Sequence, residues 1–156
     1  MLELLSKKDV QTIRILQDFN VSTERVFSFF SDHNRLSEIY PAFIHRIVDA
    51  PNPFNCNDVG SSRIIIGFPV ILQETITAYI ENKYIEYKIS SVSPLKTHIG
   101  KMNFIPLSEN QSRLEYVIEF EPLVPFTGFL LLQLNTKIVQ DALGVLVRRF
   151  KENPNY

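Results

Sequence analysis

The stretch "FTGFLLLQLNTKIVQDALGVLVRRF", Phe126 to Phe150, decides the fold because it predicts one long amphipathic helix. Apolar side chains recur in it at alternating steps of three and four residues, as they do on one face of a helix. This row consists of Phe129, Leu132, Val139, Leu143, Leu146 and Phe150, with Thr136 as its polar member, and it is widened by Leu130, Leu134 and Ile138. The opposite face carries Gln133, Lys137, Gln140, Asp141, Gly144, Arg148 and Lys151. The helix therefore needs an apolar surface to cover it.

The same segment raises the question of a membrane span. No charge occurs from Pro122 to Thr136, but that uncharged run is shorter than the roughly 20 residues that a spanning helix needs. We therefore expect no transmembrane helix. The part "LVPFTGFLLL" is nevertheless apolar on more sides than one sheet can cover, so contact with a partner or a peripheral contact with a membrane remains an alternative.

The residues before this helix alternate as strands do. In "RLEYVIEFE" the side chains of Leu114, Tyr116, Ile118 and Phe120 share one face, and those of Arg113, Glu115, Glu119 and Glu121 share the other. One apolar face and one polar, solvent-exposed face are typical of an antiparallel sheet that is covered on a single side. Strands are predicted at residues 10–18, 43–48, 62–67, 70–80, 84–90, 97–105 and 113–121. Two short helices are predicted at residues 21–32, with Ser22 as N-cap, and 33–40, and an irregular loop at 49–60, which would be a lid over a cavity or a plain linker.

Composition narrows the classes of function. The chain has 156 residues, which we interpret as one domain, 1–156, and a net charge of −1, which disfavours nucleic-acid binding. Its single cysteine, Cys56, excludes an internal disulfide and fits a cytoplasmic location, and the N-terminus does not read as a secretory signal. The three histidines, His33, His45 and His98, lack metal-site spacing, so we expect neither a metal nor a cofactor. The oligomeric state is left open.

The order of elements is a strand, two short helices, about six strands and one long helix. This layout resembles the helix-grip fold, and the residues are similar to the polyketide cyclase/dehydrase branch of the START/Bet v 1-like (SRPBCC) superfamily. The likeness is carried by "VSTERVFSFFSD", "VGSSR", "QETITAYIENKYIEYKI" and "GKMNFIPLSENQSRLEY", followed by the long helix. It implies an α+β fold in which a curved antiparallel sheet of six or seven strands wraps around that helix.

A strongly twisted sheet meets a single helix closely along only part of its length, and the remaining space can hold an apolar ligand. The leading hypothesis is therefore binding of a hydrophobic small molecule, such as a lipid, an isoprenoid quinone or a polyketide-like compound. The expected ligand-binding residues are Tyr40, Phe43, Glu74, Tyr87, His98, Met102, Tyr116, Phe120, Leu130, Leu134 and Ile138.

Two of these residues are also candidate catalytic groups, which gives the alternative of a cyclase or dehydratase-like enzyme. Glu74 shares its strand face with Val70, Leu72, Ile76, Ala78 and Ile80. Burial would disfavour its charged form and make it a possible general acid or base, although a salt-bridged or edge-strand glutamate fits as well. His98 would face inward, with Gly100 leaving room beside it for a ligand, or it would be a hydrogen-bonded core residue.

Overall fold

The computed structural model describes residues 9–67 and 70–156, and residues 1–8, on which the expectation about a secretory signal rests, lie outside them. The strands are β1 (Gln11–Phe19), β2 (Phe43–Val48), β3 (Ser62–Gly67), β4 (Val70–Ile80), β5 (Tyr84–Ile89), β6 (Leu95–Ser108) and β7 (Gln111–Pro122). The helices are α1 (Thr23–Ser31), a short 3₁₀ helix (His33–Glu38) and α2 (Gly128–Glu152). The predicted strands and helices are all confirmed, to within a few residues at their ends.

The strands form one antiparallel sheet in the order β1-β7-β6-β5-β4-β3-β2. Consecutive strands from β2 to β7 are neighbours, and β1 adds to the free edge of β7. The helix α2 packs on β1 and β7. This is the predicted α+β fold, an open seven-stranded sheet with a long C-terminal helix.

The core lies between α2 and the inner face of the sheet. The residues of β7 that were predicted to lie on its apolar face are all buried, namely Leu114, Tyr116, Ile118 and Phe120. On the facing side of α2 the buried residues are Val139, Ala142, Leu143, Leu146 and Phe150. The C-terminal half of α2 is thus the centre of the hydrophobic core.

The N-terminal half of α2 is different, since the sheet leaves much of it uncovered. Phe129 is 67% exposed, Leu130 69% and Leu134 54%. The prediction that Phe129 continues the buried row is therefore wrong. By length and composition alone α2 could cross a membrane, but its buried C-terminal half belongs to the core of this domain.

A β-bulge interrupts β4 and changes which residues face inward. The pairing of β4 with β5 shifts register between Ile76 and Ala78, so alternation restarts after Thr77. Tyr79 then packs edge-on against the Phe27 ring, with 5.3 Å between the ring centroids, and Ile80 is exposed. The expected inward face of β4 is thus correct up to Ile76 and wrong for Ile80.

The N-termini of α1 and of the 3₁₀ helix are capped differently. Ser22 occupies the N-cap position of α1, although its side chain makes no capping hydrogen bond. Asp32 caps the 3₁₀ helix by accepting a hydrogen bond from the Asn34 amide at 3.0 Å. His33, the first residue of the 3₁₀ helix, is buried and lies 3.2 Å from the Ser61 hydroxyl.

Candidate functional site

A cavity of about 320 Å³ lies between the inner face of the sheet and α2. The wall that α2 supplies consists of Leu131, Leu134, Asn135, Ile138 and Val139. Apolar side chains from the segment before β2 and from β2, β3 and β4 form much of the opposite wall, including Tyr40, Ala42, Ile44, Ile65 and Leu72. The expected space between helix and sheet is present, and its volume is that of a small-molecule pocket.

Two charged residues on the cavity wall form a buried ion pair. Arg63 on β3 and Glu74 on β4 are direct partners across the two strands, and their side chains are 5% and 6% exposed. Arg63 donates to the Glu74 Oε2 atom from Nε at 2.8 Å and from Nη2 at 2.7 Å. Because each charge compensates the other, Glu74 is the salt-bridged glutamate that the sequence left open, and not a lone buried carboxylate.

His98 stands beside this ion pair. Its Nδ1 atom is 3.8 Å from Glu74 Oε1, too far for a hydrogen bond, and has no other partner among the described residues. Burial lowers the pKa of His98, Glu74 opposes that shift, and the charge of Arg63 adds to it. The imidazole is therefore neutral near pH 7, and it shares the cavity with Glu74.

Three tyrosines extend the polar cluster along the same wall. The hydroxyls of Tyr87 and Tyr116 are hydrogen-bonded to each other, and the Arg63 guanidinium lies 4.6 Å from the centre of the Tyr87 ring. Burial raises the pKa of Tyr40, Tyr87 and Tyr116 well above the usual value. All three remain protonated phenols and can donate hydrogen bonds.

Gly100 is required by this cluster rather than by a ligand. It pairs with Tyr87 across β5 and β6, and a Cβ atom at position 100 would overlap the Tyr87 ring. The expectation that Gly100 leaves free space beside His98 is therefore wrong, because the Tyr87 ring occupies that space.

The model of the family described as polyketide cyclase / dehydrase and lipid transport matches residues 11–152. The chain belongs to this family. A comparison with curated proteins finds no match. Solved structures similar to the chain include a START superfamily protein from Mycobacterium smegmatis, 14% identical over 90% of this chain and 97% of that one, with a TM-score of 0.75.

Two further similar structures have the same fold at equally low identity. The protein XoxI from Bacillus cereus is 16% identical over 93% of this chain and 99% of that one, with a TM-score of 0.72. Norcoclaurine synthase from Thalictrum flavum, in complex with dopamine and hydroxybenzaldehyde, is 11% identical over 96% of this chain and 92% of that one, with a TM-score of 0.66. These likenesses support the helix-grip fold and leave the ligand open.

Within this member of the polyketide cyclase/dehydrase family, most of the residues expected to bind a ligand line the cavity. They are Tyr40, Glu74, Tyr87, His98, Met102, Tyr116, Leu134 and Ile138. Sequence reasoning missed Arg63. The available signal was a charged residue entering the "SRIIIG" strand with the same parity as Ile65, which points it to the inner face.

Three expected ligand-binding residues lie outside the cavity. Phe43 is 58% exposed, because its neighbour Ile44 takes the inward position on β2, and it stacks on His45 instead. Phe120 is completely buried in the core. Leu130 lies on the uncovered side of α2.

Two further features of the described residues bear on the site, the possible metal ligands and the loop 49–60. Residues 9–67 and 70–156 contain no group of three or more His, Cys, Asp and Glu side chains that could hold a metal ion. The loop 49–60 contributes no residue to the cavity wall. It is held by contacts of its own, such as the Ala50 amide donating to the Cys56 carbonyl at 2.9 Å, and it acts as a linker between β2 and β3.

Proposed function

We propose that the protein binds a hydrophobic small molecule, such as a lipid, an isoprenoid quinone or a polyketide-like compound, between the sheet and α2. The observation that carries this proposal is the cavity of about 320 Å³, mostly apolar in its lining and with one compact polar cluster in its wall. Apolar walls supply affinity through burial of the ligand, and a few fixed polar groups orient it. The family description, which includes lipid transport, supports the same function. The single cysteine, Cys56, which cannot form an internal disulfide, supports a cytoplasmic location for the protein.

Native mass spectrometry of the freshly purified protein tests this proposal. We expect a retained small molecule that solvent extraction releases and identifies. The variant Ile138→Phe, which fills the cavity from α2, should retain much less of it. The control Ile80→Phe changes an exposed residue outside the cavity lining and should retain as much as the wild type. Equal retention by both variants would place the bound molecule elsewhere.

Acid–base catalysis is a second candidate function, favoured by the presence of His98 and Glu74 in one cavity. The neutral imidazole is the better base of the two, since Arg63 holds the Glu74 carboxylate in an ion pair. The test is whether the wild type converts the extracted compound. His98→Gln should abolish conversion, whereas His45→Gln, at an exposed histidine, should not. Turnover that survives in His98→Gln would exclude this role.

Docking on a membrane is a third candidate, favoured by the uncovered N-terminal half of α2. Phe126, Phe129, Leu130 and Leu134 form an exposed apolar surface, and Leu134 also lines the cavity. The test is flotation with phosphatidylcholine liposomes. Phe129→Glu combined with Leu130→Glu should remove flotation, while Leu16→Glu, at an exposed leucine of β1, serves as the control. A wild type that stays with the soluble fraction would rule this surface out as a lipid contact.

A further inference from the structure

The polar cluster in the cavity wall contains two nitrogen atoms without partners. The Nη1 atom of Arg63 and the Nδ1 atom of His98 are buried, and neither forms a hydrogen bond with any described residue. Both side chains line the cavity. Buried polar atoms are rarely left unsatisfied in folded proteins, so a ligand atom that accepts a hydrogen bond from Arg63 Nη1 would remove an existing cost.

The charge balance of the cluster restricts what that ligand atom can be. Among the described residues that line the cavity, only Arg63 and Glu74 carry a charge, and they compensate each other at 2.7 Å. A ligand carboxylate placed beside them would bring an uncompensated negative charge into a buried site. An uncharged oxygen would satisfy the guanidinium donor without disturbing the balance.

We propose that the ligand presents an uncharged oxygen acceptor to Arg63 Nη1, with the Nδ1–H tautomer of His98 as a second donor, and that the site discriminates against carboxylates. The chemical class is thus a hydrophobic molecule with a ketone- or quinone-type carbonyl at its inner end, and not a fatty-acid-like anion. This inference rests on the proposed function, since it assumes that the cavity is the binding site.

Three matched probes test the head-group preference by isothermal titration calorimetry. They are 2-acetylnaphthalene, 2-ethylnaphthalene and 2-naphthoate, which share one ring system and differ in carrying a ketone, a hydrocarbon or a carboxylate. We expect the ketone to bind about tenfold or more tightly than either of the others, because it alone pairs the donor without adding charge.

The variant Glu74→Gln tests the charge argument directly. It leaves the positive charge of Arg63 uncompensated, so 2-naphthoate should then bind more tightly than 2-acetylnaphthalene. The control Glu115→Gln removes a carboxylate that pairs with Arg14 outside the cavity, and it should keep the order of the wild type. If Glu74→Gln does not fold, the three probes on the wild type still decide the proposal.

The possible outcomes separate this inference from the function it rests on. Equal affinities for the three probes, or tightest binding of 2-naphthoate by the wild type, would overturn the carbonyl preference and leave the proposed function in place. Binding of none of the three would overturn both.

Discussion

At the scale of the residue, the ion pair of Arg63 and Glu74 is the contact on which the site depends. Removing one partner strands the other as an unpaired buried charge, whereas removing both leaves an apolar space of similar shape. We expect Arg63→Met to lower the free energy of unfolding by about 3–5 kcal/mol. The double variant Arg63→Met with Glu74→Met should recover most of that loss. Urea unfolding measures the free energy of unfolding of the single and the double variant.

The exposed pair of Arg113 and Asp18 provides the control for that experiment. Its geometry is equally good, with Arg113 Nε 2.6 Å from Asp18 Oδ1, but its side chains are 40% and 56% exposed. Solvent screens such pairs, so Arg113→Met should cause no comparable loss. If the two single variants lose equal stability, burial is not what makes the Arg63–Glu74 pair important.

Gly100 is the residue whose replacement tests the packing of the cluster. A methyl group there overlaps the Tyr87 ring, so Gly100→Ala should destabilise the fold by about 1–3 kcal/mol through overpacking. Gly144 is its matched control. It lies in α2 with the nearest atom 4.0 Å from an added Cβ, so Gly144→Ala should stabilise by about 0.5–1 kcal/mol. Thermal unfolding of the two variants should shift in opposite directions.

His33 makes the stability of the fold depend on pH. Burial lowers its pKa from 6.5 to about 3, with the charges of Arg63 and Arg46 adding to the shift. The unfolded chain takes up a proton below pH 6.5 and the folded state does not, so stability falls as the pH decreases from 6.5 towards 3. Over that interval the loss from this group reaches roughly 4 kcal/mol at most.

Urea unfolding at a series of pH values measures this dependence. His33→Gln should flatten the slope between pH 6.5 and 3, although it should also weaken the fold at neutral pH. His45→Gln, at an exposed position, should leave the slope unchanged. An unchanged slope in His33→Gln would assign the acid sensitivity to other groups, among them His98, whose pKa is lowered in the same direction.

Sequence alternation identified the inward residues but not their partners. It placed Glu74, His98 and Tyr116 correctly, because the face of a strand residue follows from parity alone. The pairing of Glu74 with Arg63 depends on the register between β3 and β4, which parity does not determine. The bulge after Ile76 was missed for the same reason, since no local pattern in "TITAYI" marks an unpaired residue.

At the scale of the element, the two halves of α2 have different roles. Leu143→Ala removes a fully buried side chain and should cost about 2–5 kcal/mol. Leu130→Ala changes a residue that is 69% exposed and should leave the free energy of unfolding nearly unchanged. Chemical denaturation of both variants provides the comparison. Similar losses would mean that the N-terminal half of α2 is packed after all.

The position of α2 was predictable from the sequence, but the part of the helix that the sheet covers was not. The three- and four-residue spacing from Phe129 to Phe150 is a local property of the sequence and predicts a helix with one apolar face. Which part of that face is covered depends on how far the sheet extends, which is a property of the assembled fold. Phe129 and Leu130 therefore belong to the pattern and yet lie in solvent.

At the scale of the whole molecule, a substitution that fills the cavity should reduce ligand binding without reducing the stability of the fold. The side chains that surround an interior void make fewer packing contacts than they would make with a larger side chain in that space. We expect Ile138→Phe, the variant that should lose the retained ligand, to unfold at the same urea concentration as the wild type or a higher one. A strong loss of stability would show that the space beside Ile138 cannot accept a larger side chain.

The half-covered helix has one further consequence. Its C-terminal end is held by Phe150, which packs edge-on against Tyr156, and the Tyr156 ring centre lies 4.8 Å from the Arg35 guanidinium and 5.1 Å from that of Arg149. At its N-terminal end Gly128 is buried beside the side chains of Asp9 and Gln11, whereas Phe129 and Leu130, which follow it, are exposed. The two ends of α2 are thus packed unequally, and a ligand that entered beside the less packed end would leave the core around Phe150 undisturbed.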